Sequence, residues 1–228
     1  MSGDISAYRL AVVGAGRVRG QIAMVGCPGR TAGMLLPYNS AWRLQRDVTT
    51  LKYWGAQALV TLLEKPELSL MRLGDLPKVL ASRHIAWCHI PLRDGRVPDD
   101  EFEARWQVSA ARLRAVLWCG GRVALHCADG RSRTAMVTAK LLVELGCPAQ
   151  DALNRVRGAR PGAISRPEEE QFVRRQSPVA EAAYRTQVSL AQPHRLIEAS
   201  EGDDAVLDWL GPRFDNPDQL ELLQSYAP

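Results

Sequence analysis

An α/β fold with a single central, mostly parallel sheet and helices on both faces is predicted by three observations. Short apolar runs alternate with segments of helical periodicity. At 228 residues the chain is long enough for one sizeable core and carries no internal repeat or low-complexity tract. A basic, glycine-bearing loop joins an apolar run to an amphipathic segment, and sheets of this class bind ligands at the carboxyl ends of their strands.

The opening "YRLAVVGAGRVRGQIAMVGCPGR" reads as two strands with a turn at 14–16. Gly14 and Gly16 imitate a dinucleotide fingerprint, but the third glycine falls at Gly20. Arg19 stands where close helix packing would be needed, and the continuation has strand rather than helix character. Residues 37–42 read as connecting loop. In "LQRDVTTLKYWG", Leu44, Val48, Leu51 and Trp54 predict a helix stopped by Gly55. "AQALVTLL" predicts a buried strand and "RLGDLPKVLASRH" a short helix. "IAWCHIPL" predicts a further strand, expected to lie beside the basic loop. Residues 98–120 predict a long helix capped by Asp99 or Asp100. Last come a strand in "GRVALHC", where Val123 and Leu125 alternate, and a helix in "TAMVTAKLLVELG", with Met136, Val137, Leu141, Val143 and Leu145 at helical spacing.

Strong patterning fades near residue 177, which places the main body at 1–179 and an appended extension at 180–228, with one helix around 205–210. The net charge of +4 is unevenly spread: the body holds 26 Lys and Arg against 16 Asp and Glu, the extension 3 against 9. A basic body suits a phosphorylated or otherwise anionic partner, although charge does not choose among anions. No apolar run approaches the roughly 20 residues of a membrane span, and residues 1–11 lack signal-peptide character. A cytoplasmic location is therefore expected. Cys27, Cys88, Cys119, Cys127 and Cys147 show no paired metal-ligand spacing, and the four histidines, His84, His89, His126 and His194, form no zinc pattern. Reduced thiols, no metal and no cofactor are expected.

The basic loop is "HCADGRSRT", residues 126–134. A loop entering a helix N-terminus meets unpaired amide N–H groups and the positive end of the helix dipole, which together bind anions. The field that attracts a phosphate also favours a thiolate, so at Cys127 a nucleophile and an oxyanion cradle coincide. The amides of Ala128, Asp129, Gly130, Arg131 and Ser132 supply the cradle. The Arg133 guanidinium adds a two-pronged donor that lysine lacks, and Gly130 lets the backbone bend.

The His-Cys-x5-Arg-Thr pattern at Cys127, Arg133 and Thr134 resembles the signature loop of cysteine-dependent protein tyrosine and dual-specificity phosphatases. That resemblance implies their fold and their phosphomonoester hydrolysis. Expelling an alkoxide or phenoxide at neutral pH requires a proton donor, and "IPLRDGRVPDD" offers Asp94, Asp99 and Asp100. The latter two precede a helix and have capping as their ordinary use, so Asp94 is the first choice.

"PLRDGRVPD" is also similar to the mobile acid loop of the cyclin-dependent-kinase-associated phosphatases. "GCPGR", "LQRDVTTLKYWGAQALVTLLEKPEL" and "RGARPGAISRPEEEQFV" resemble segments of that subfamily in the same order, and the likeness spans residues 8–176. It implies that Cys127 attacks phosphorus, that Arg133 and the loop amides hold the phosphoryl oxygens, and that Asp94 acts as acid and then as base. It further implies that Thr134, with Ser132 a weaker candidate, stabilises the departing sulfur and that His126 orders the loop. Dual-specificity relatives with an "RPGA" segment often place a water-orienting glutamine after the next proline. Here Glu168, Glu169 and Glu170 follow Pro167, so water positioning by that segment is left open. Asp129 and Arg131 add opposite charges beside the anion site that could tune substrate choice.

The expected activity is metal-independent hydrolysis of phosphotyrosine on protein, extending to phosphoserine and phosphothreonine, with no nucleic-acid partner. Three alternatives stand beside it: the same chemistry on a phosphoinositide, nucleotide or RNA 5′-phosphate; a non-catalytic phosphate-binding module; and a redox sensor in which Cys88 resolves an oxidised Cys127.

Overall fold

A computed structural model describes residues 8–16, 18–30 and 41–180. Its strands are β1 (Ala11–Gly14), β2 (Gln21–Val25), β3 (Ala56–Thr61), β4 (Ala86–His89) and β5 (Arg122–His126). Its helices are α1 (Ala41–Trp54), α2 (Lys65–Leu70), α3 (Leu76–Ser82), α4 (Asp100–Trp118), α5 (Ser132–Glu144), α6 (Ala149–Ala159) and α7 (Pro167–Arg174). The strands form one sheet in the order β1-β2-β5-β3-β4. β1 pairs antiparallel with β2, and the other three pairs are parallel.

The alternation of runs and helical segments has its physical outcome here. Ile22, Met24, Leu59, Val60, Val123 and Leu125 are fully buried, as expected for parallel strands covered on both faces. The crossovers β2-α1-β3 and β3-α3-β4 progress along the sheet in one direction, and β4-α4-β5 returns. Because such connections are right-handed, α1 and α3 cover one face and α4 the other. α4 joins α5 through buried ionic contacts: Arg114 and Trp106 both donate to Glu144, at 2.6 and 2.7 Å. Lys140 of α5 adds an ion pair to Glu103 at 2.9 Å and a hydrogen bond to Gln176 at 2.8 Å.

The opening glycines belong to an antiparallel β-hairpin, with Ala15 N–H donating to Gly20 O at 2.9 Å, so no helix follows them to hold a dinucleotide. Gly55, at φ +87°, ends α1. Four expectations are corrected. Ala41 and Trp42 lie inside α1 instead of in a loop, while 37–40 fall outside the described residues. β4 does not lie beside β5, because β3 intervenes. The predicted strand "IAWCHIPL" is shorter than expected and ends at His89. Helices α2, α6 and α7 were not anticipated. The extension from residue 181 onward, with its expected helix at 205–210, lies outside the described residues.

Candidate active site

Cys127 directly follows β5, a strand flanked by β2 and β3, so the topology sets its thiol near the middle of the sheet's carboxyl edge. Its side chain is buried. The chain then turns at Gly130, φ +72°, where an added Cβ would stand 2.3 Å from Val25 O; only glycine fits against that neighbouring strand. α5 begins at Ser132 with Arg131 at its N-cap and no capping side chain. The first-turn amides of α5 are thus left by their own helix to face the loop. Asp129 takes one donor of the cradle, its Oδ1 accepting from Arg131 N–H at 3.0 Å, and it also accepts from Cys127 Sγ at 3.6 Å.

Arg133 is buried in the first turn of α5. Its Nη1 and Nη2 donate to the two carboxylate oxygens of Glu67 at 2.7 and 2.8 Å, and Nη1 donates again to Leu92 O at 3.1 Å. The end-on fork therefore grips a protein carboxylate. Of the five guanidinium N–H groups, those on Nε and the second on Nη2 are left for a phosphoryl group. Burial alone would push the Glu67 carboxyl up, but the hydrogen bonds from Arg133 hold it below the usual carboxylate range. The guanidinium is correspondingly raised, against the opposing effect of burial.

Asp94 lies on the loop after β4 with its side chain 75% exposed, its Oδ1 3.2 Å from Arg133 Nε. Although β4 is two strands from β5, the loop bends back over the end of β3: Ile90 N–H donates to Thr61 O and Leu92 N–H to Leu62 O. Arg166 Nη1 holds the loop at Gly95 O, 2.8 Å away. Asp99 is the N-cap of α4 and accepts from Phe102 N–H at 3.0 Å. Asp100 is the first residue of α4. Of the three aspartates, Asp94 meets Arg133.

His126 is wholly buried, with Nε2 2.7 Å from Thr61 Oγ1 and Nδ1 3.2 Å from Cys127 O. Burial pulls its pKa down to about 4. The neutral ring couples the loop to β3, where Trp87 Nε1 also donates to Thr61 Oγ1 at 2.8 Å. Thr134 is buried and its hydroxyl has no hydrogen-bond partner. Ser132 Oγ instead donates to Glu169, which also accepts from Arg166. Burial raises the Glu169 carboxyl, but the donors Ser132 and Arg166 bring it below the usual range. Glu170 is held by Arg157 and Arg174, and Glu168 pairs with Arg166 at 3.3 Å.

Cys88 sits on β4 opposite Val60 of β3, and Val60 faces Leu125 of β5. Two strand spacings of ~4.8 Å separate β4 from β5, too far for the Cα approach of a disulfide. The resolving role imagined for Cys88 therefore lacks the geometry. None of the five cysteines is joined in a disulfide. Among the described residues no group of three His, Cys, Asp or Glu could hold a metal ion, and no helix is long and apolar enough to cross a membrane.

Sequence reasoning missed Glu67 and Arg166, and it left the part played by Glu169 open. Glu67 had a readable signal: "EKPE" is a capping box with proline in the first turn, and Glu67 Oε2 accepts from Glu64 N–H at 2.8 Å. Its reach to Arg133 depends on tertiary placement and has no local signal.

Residues 3–152 match the family model described as cyclin-dependent kinase inhibitor 3 (CDKN3). No curated protein sequence matches. Among solved structures, the chain is similar to kinase associated phosphatase carrying serine in place of its catalytic cysteine, with a TM-score of 0.61 and 22% identity over 73% of this chain and 92% of that one. It is also similar to a protein tyrosine phosphatase of Leishmania major, with a TM-score of 0.54 and 19% identity over 74% of this chain and 99% of that one. PTPMT1 gives a TM-score of 0.52 and 15% identity over 76% of this chain and 94% of that one. At these identities the likeness speaks for the fold.

Proposed function

Since the chain belongs to the cyclin-dependent kinase inhibitor 3 family and is a cysteine-dependent protein phosphatase, we propose that Cys127 is its nucleophile and phosphotyrosine on protein its substrate, with phosphoserine and phosphothreonine also accepted. The observation that carries this reading is the placement of the Cys127 thiol beside the uncapped first turn of α5, with Arg133 fixed by Glu67 and two guanidinium N–H groups left over.

In the proposed first step the Cys127 thiolate attacks phosphorus, the bond to the ester oxygen breaks, and Asp94 gives that oxygen its proton. The amides of residues 128–132 and Arg133 hold the phosphoryl oxygens as charge builds. In the second step Asp94 removes a proton from water, whose oxygen attacks phosphorus, and Cys127 leaves as thiolate. The buried, unpartnered hydroxyl of Thr134 is the donor available to the departing sulfur. Glu169 is engaged by Ser132 and Arg166, which supports a part in fixing the helix start in preference to orienting water.

Cys127→Ser should abolish turnover of a phosphotyrosine peptide while retaining vanadate binding. Rapid denaturing quench of the wild type should trap phosphate covalently bound to Cys127. Wild-type turnover in Cys127→Ser would overturn the covalent mechanism.

A further inference from the structure

The turn Cys27-Pro28-Gly29-Arg30 lies against the basic loop. Arg30 N–H donates to Cys27 O at 3.2 Å, with proline second and a glycine at φ +82° third, the residues that a turn of this kind favours. A β-turn closed in this way makes no use of the N–H of its third residue. Asp47, inside α1 and 1% exposed, takes it: Gly29 N–H donates to Oδ2 at 2.8 Å. The other carboxylate oxygen accepts from Arg46 Nε and Nη2 at 2.9 and 2.7 Å. Just before the turn, the Tyr8 hydroxyl donates to Gly26 O at 2.8 Å.

Both ends of the turn grip one atom of the loop. Cys27 N–H donates to Ala128 O at 3.1 Å, and Arg30 Nη1 donates to the same oxygen at 2.8 Å. The first of these bonds extends the β2–β5 ladder beyond its last pair, Val25 and His126. Two donors occupy both lone pairs of that carbonyl. No described peptide bond is cis, so planarity sets the Asp129 N–H on the side opposite Ala128 O. Cys27 and Arg30 thus decide where one amide of the loop aims. A buried ion pair such as Asp47 with Arg46 is a poor device for stability alone, because apolar side chains of the same volume often do as well or better. Holding the turn in register is a task that an apolar side chain cannot perform.

We propose that Asp47 is a positioning residue for the hydrolysis. Through Gly29 it fixes the turn, and through Cys27 and Arg30 the turn holds Ala128 O outward, so that the Asp129 N–H points at the phosphoryl group. The assignment rests on the reading of Cys127 as nucleophile, because the amide being aimed belongs to the cradle around that residue.

Asp47→Asn keeps the shape but offers one acceptor oxygen where Gly29 and Arg46 need two. The test is inhibition by orthovanadate of p-nitrophenyl phosphate turnover, whose sign separates the causes. Removing a negative charge should by electrostatics alone tighten the binding of an anion, whereas an amide turned out of the cradle should weaken it. The inhibition constant should rise on the order of tenfold and kcat fall by a similar factor, short of the 10²–10³ lost with a deleted oxyanion donor. An inhibition constant does not depend on the fraction of protein folded, so a role confined to stability leaves it unchanged. The exposed Arg30 provides a second variant should Asp47→Asn fail to fold. Arg30→Ala removes one of the two grips and should raise the constant by a smaller factor, at high salt as well as low, whereas a purely electrostatic loss fades as salt is raised. Arg30→Lys, which keeps one donor on a stem nearly as long, should restore most of it. An unchanged or lowered constant in Asp47→Asn overturns the proposal. So does an unchanged constant, or a rise that salt erases, in Arg30→Ala. A wild type that turns over neither p-nitrophenyl phosphate nor a phosphotyrosine peptide would instead overturn the phosphatase mechanism on which the proposal rests.

Discussion

Arg133 and Glu67, 66 residues apart in the chain, meet through two N–H···O bonds of 2.7 and 2.8 Å. The pair joins the first turn of α5 to the first turn of α2. It also decides which edge of the guanidinium faces the cradle, because an arginine with its end-on fork occupied can offer a phosphate its Nε side alone.

Glu67→Gln should keep one acceptor oxygen but lose the second, freeing the guanidinium to rotate. We expect kcat/KM to fall on the order of tenfold, in line with the loss of a charge-assisted hydrogen bond. Arg133→Lys removes the planar donor set and should cost on the order of 10² or more in turnover. Steady-state kinetics on a phosphotyrosine peptide separate the two. A near-normal rate in Arg133→Lys would move the clamp elsewhere, with Arg131 the first suspect.

His126 makes stability depend on pH. Its folded pKa is about 4, below the unfolded ~6.5, so between these values the unfolded state binds the extra proton. Stability is complete above pH ~6.5 and falls as pH drops toward 4, by at most about 1.4 kcal/mol per pH unit. Glu67 and Glu169, both held below the usual carboxylate range, lose their contribution only below the unfolded value of ~4.3. The window from pH 6.5 to 4.5 thus isolates the histidine. Urea unfolding across it should show a steeper decline for the wild type than for His126→Gln, even if the variant starts lower. Parallel declines would mean that His126 does not titrate as its burial dictates.

The body should be separable from its acidic extension. Val179 N–H donates to Glu144 O at 2.9 Å and Gln176 accepts from Lys140 at 2.8 Å, so the body's hydrogen bonding continues to residue 179. A chain ending at Ala180 should fold and retain activity on p-nitrophenyl phosphate. One ending at Arg175 loses both bonds and should melt several degrees lower, at about 2–4 °C per kcal/mol for a body of this size. Failure of the longer truncation to fold would place part of the extension in the core.

How much of this could be read beforehand depended on whether the signal was local. The alternation from Val123 to Leu125, the loop at Cys127 and the apolar spacing from Met136 to Leu145 are contained in one stretch, and β5, the cradle and α5 follow from it. The place of β4 outside β3, at the edge of the sheet, is different. Nothing in "IAWCHIPL" says which strand it pairs with, because a strand buried on both faces is apolar throughout and suits any central position. α6 and α7 rest on polar, arginine-rich stretches such as "NRVRGAR" and "PEEEQFVRR", whose few apolar anchors, among them Leu153, Val156 and Val173, are buried but too sparse to announce a helix. Glu169 and Arg166 act through contacts with Ser132 and Gly95 that exist only once α7 is docked.

Asp94 is expected to act as the acid, and an acid matters in proportion to how much the leaving group needs a proton. Its carboxylate hangs from an exposed loop, 3.2 Å from Arg133 Nε, near where the free guanidinium edge would meet a phosphoryl group. Nitrophenol leaves well unaided, whereas the tyrosine phenol and especially the serine alcohol do not. Asp94→Asn should therefore slow cysteine phosphorylation by phosphotyrosine or phosphoserine peptides far more than by p-nitrophenyl phosphate, when the first step is followed in single turnovers. The basic limb of its pH profile should flatten in the same variant, because that limb reports the acid that must be protonated. Asp99→Ala removes the N-cap bond to Phe102 and should cost about 1 kcal/mol of stability, while leaving-group sensitivity stays as in the wild type. Sensitivity that followed Asp99 or Asp100 would remove the acid role from Asp94, and the chemistry assigned to Cys127 would still stand on its own test.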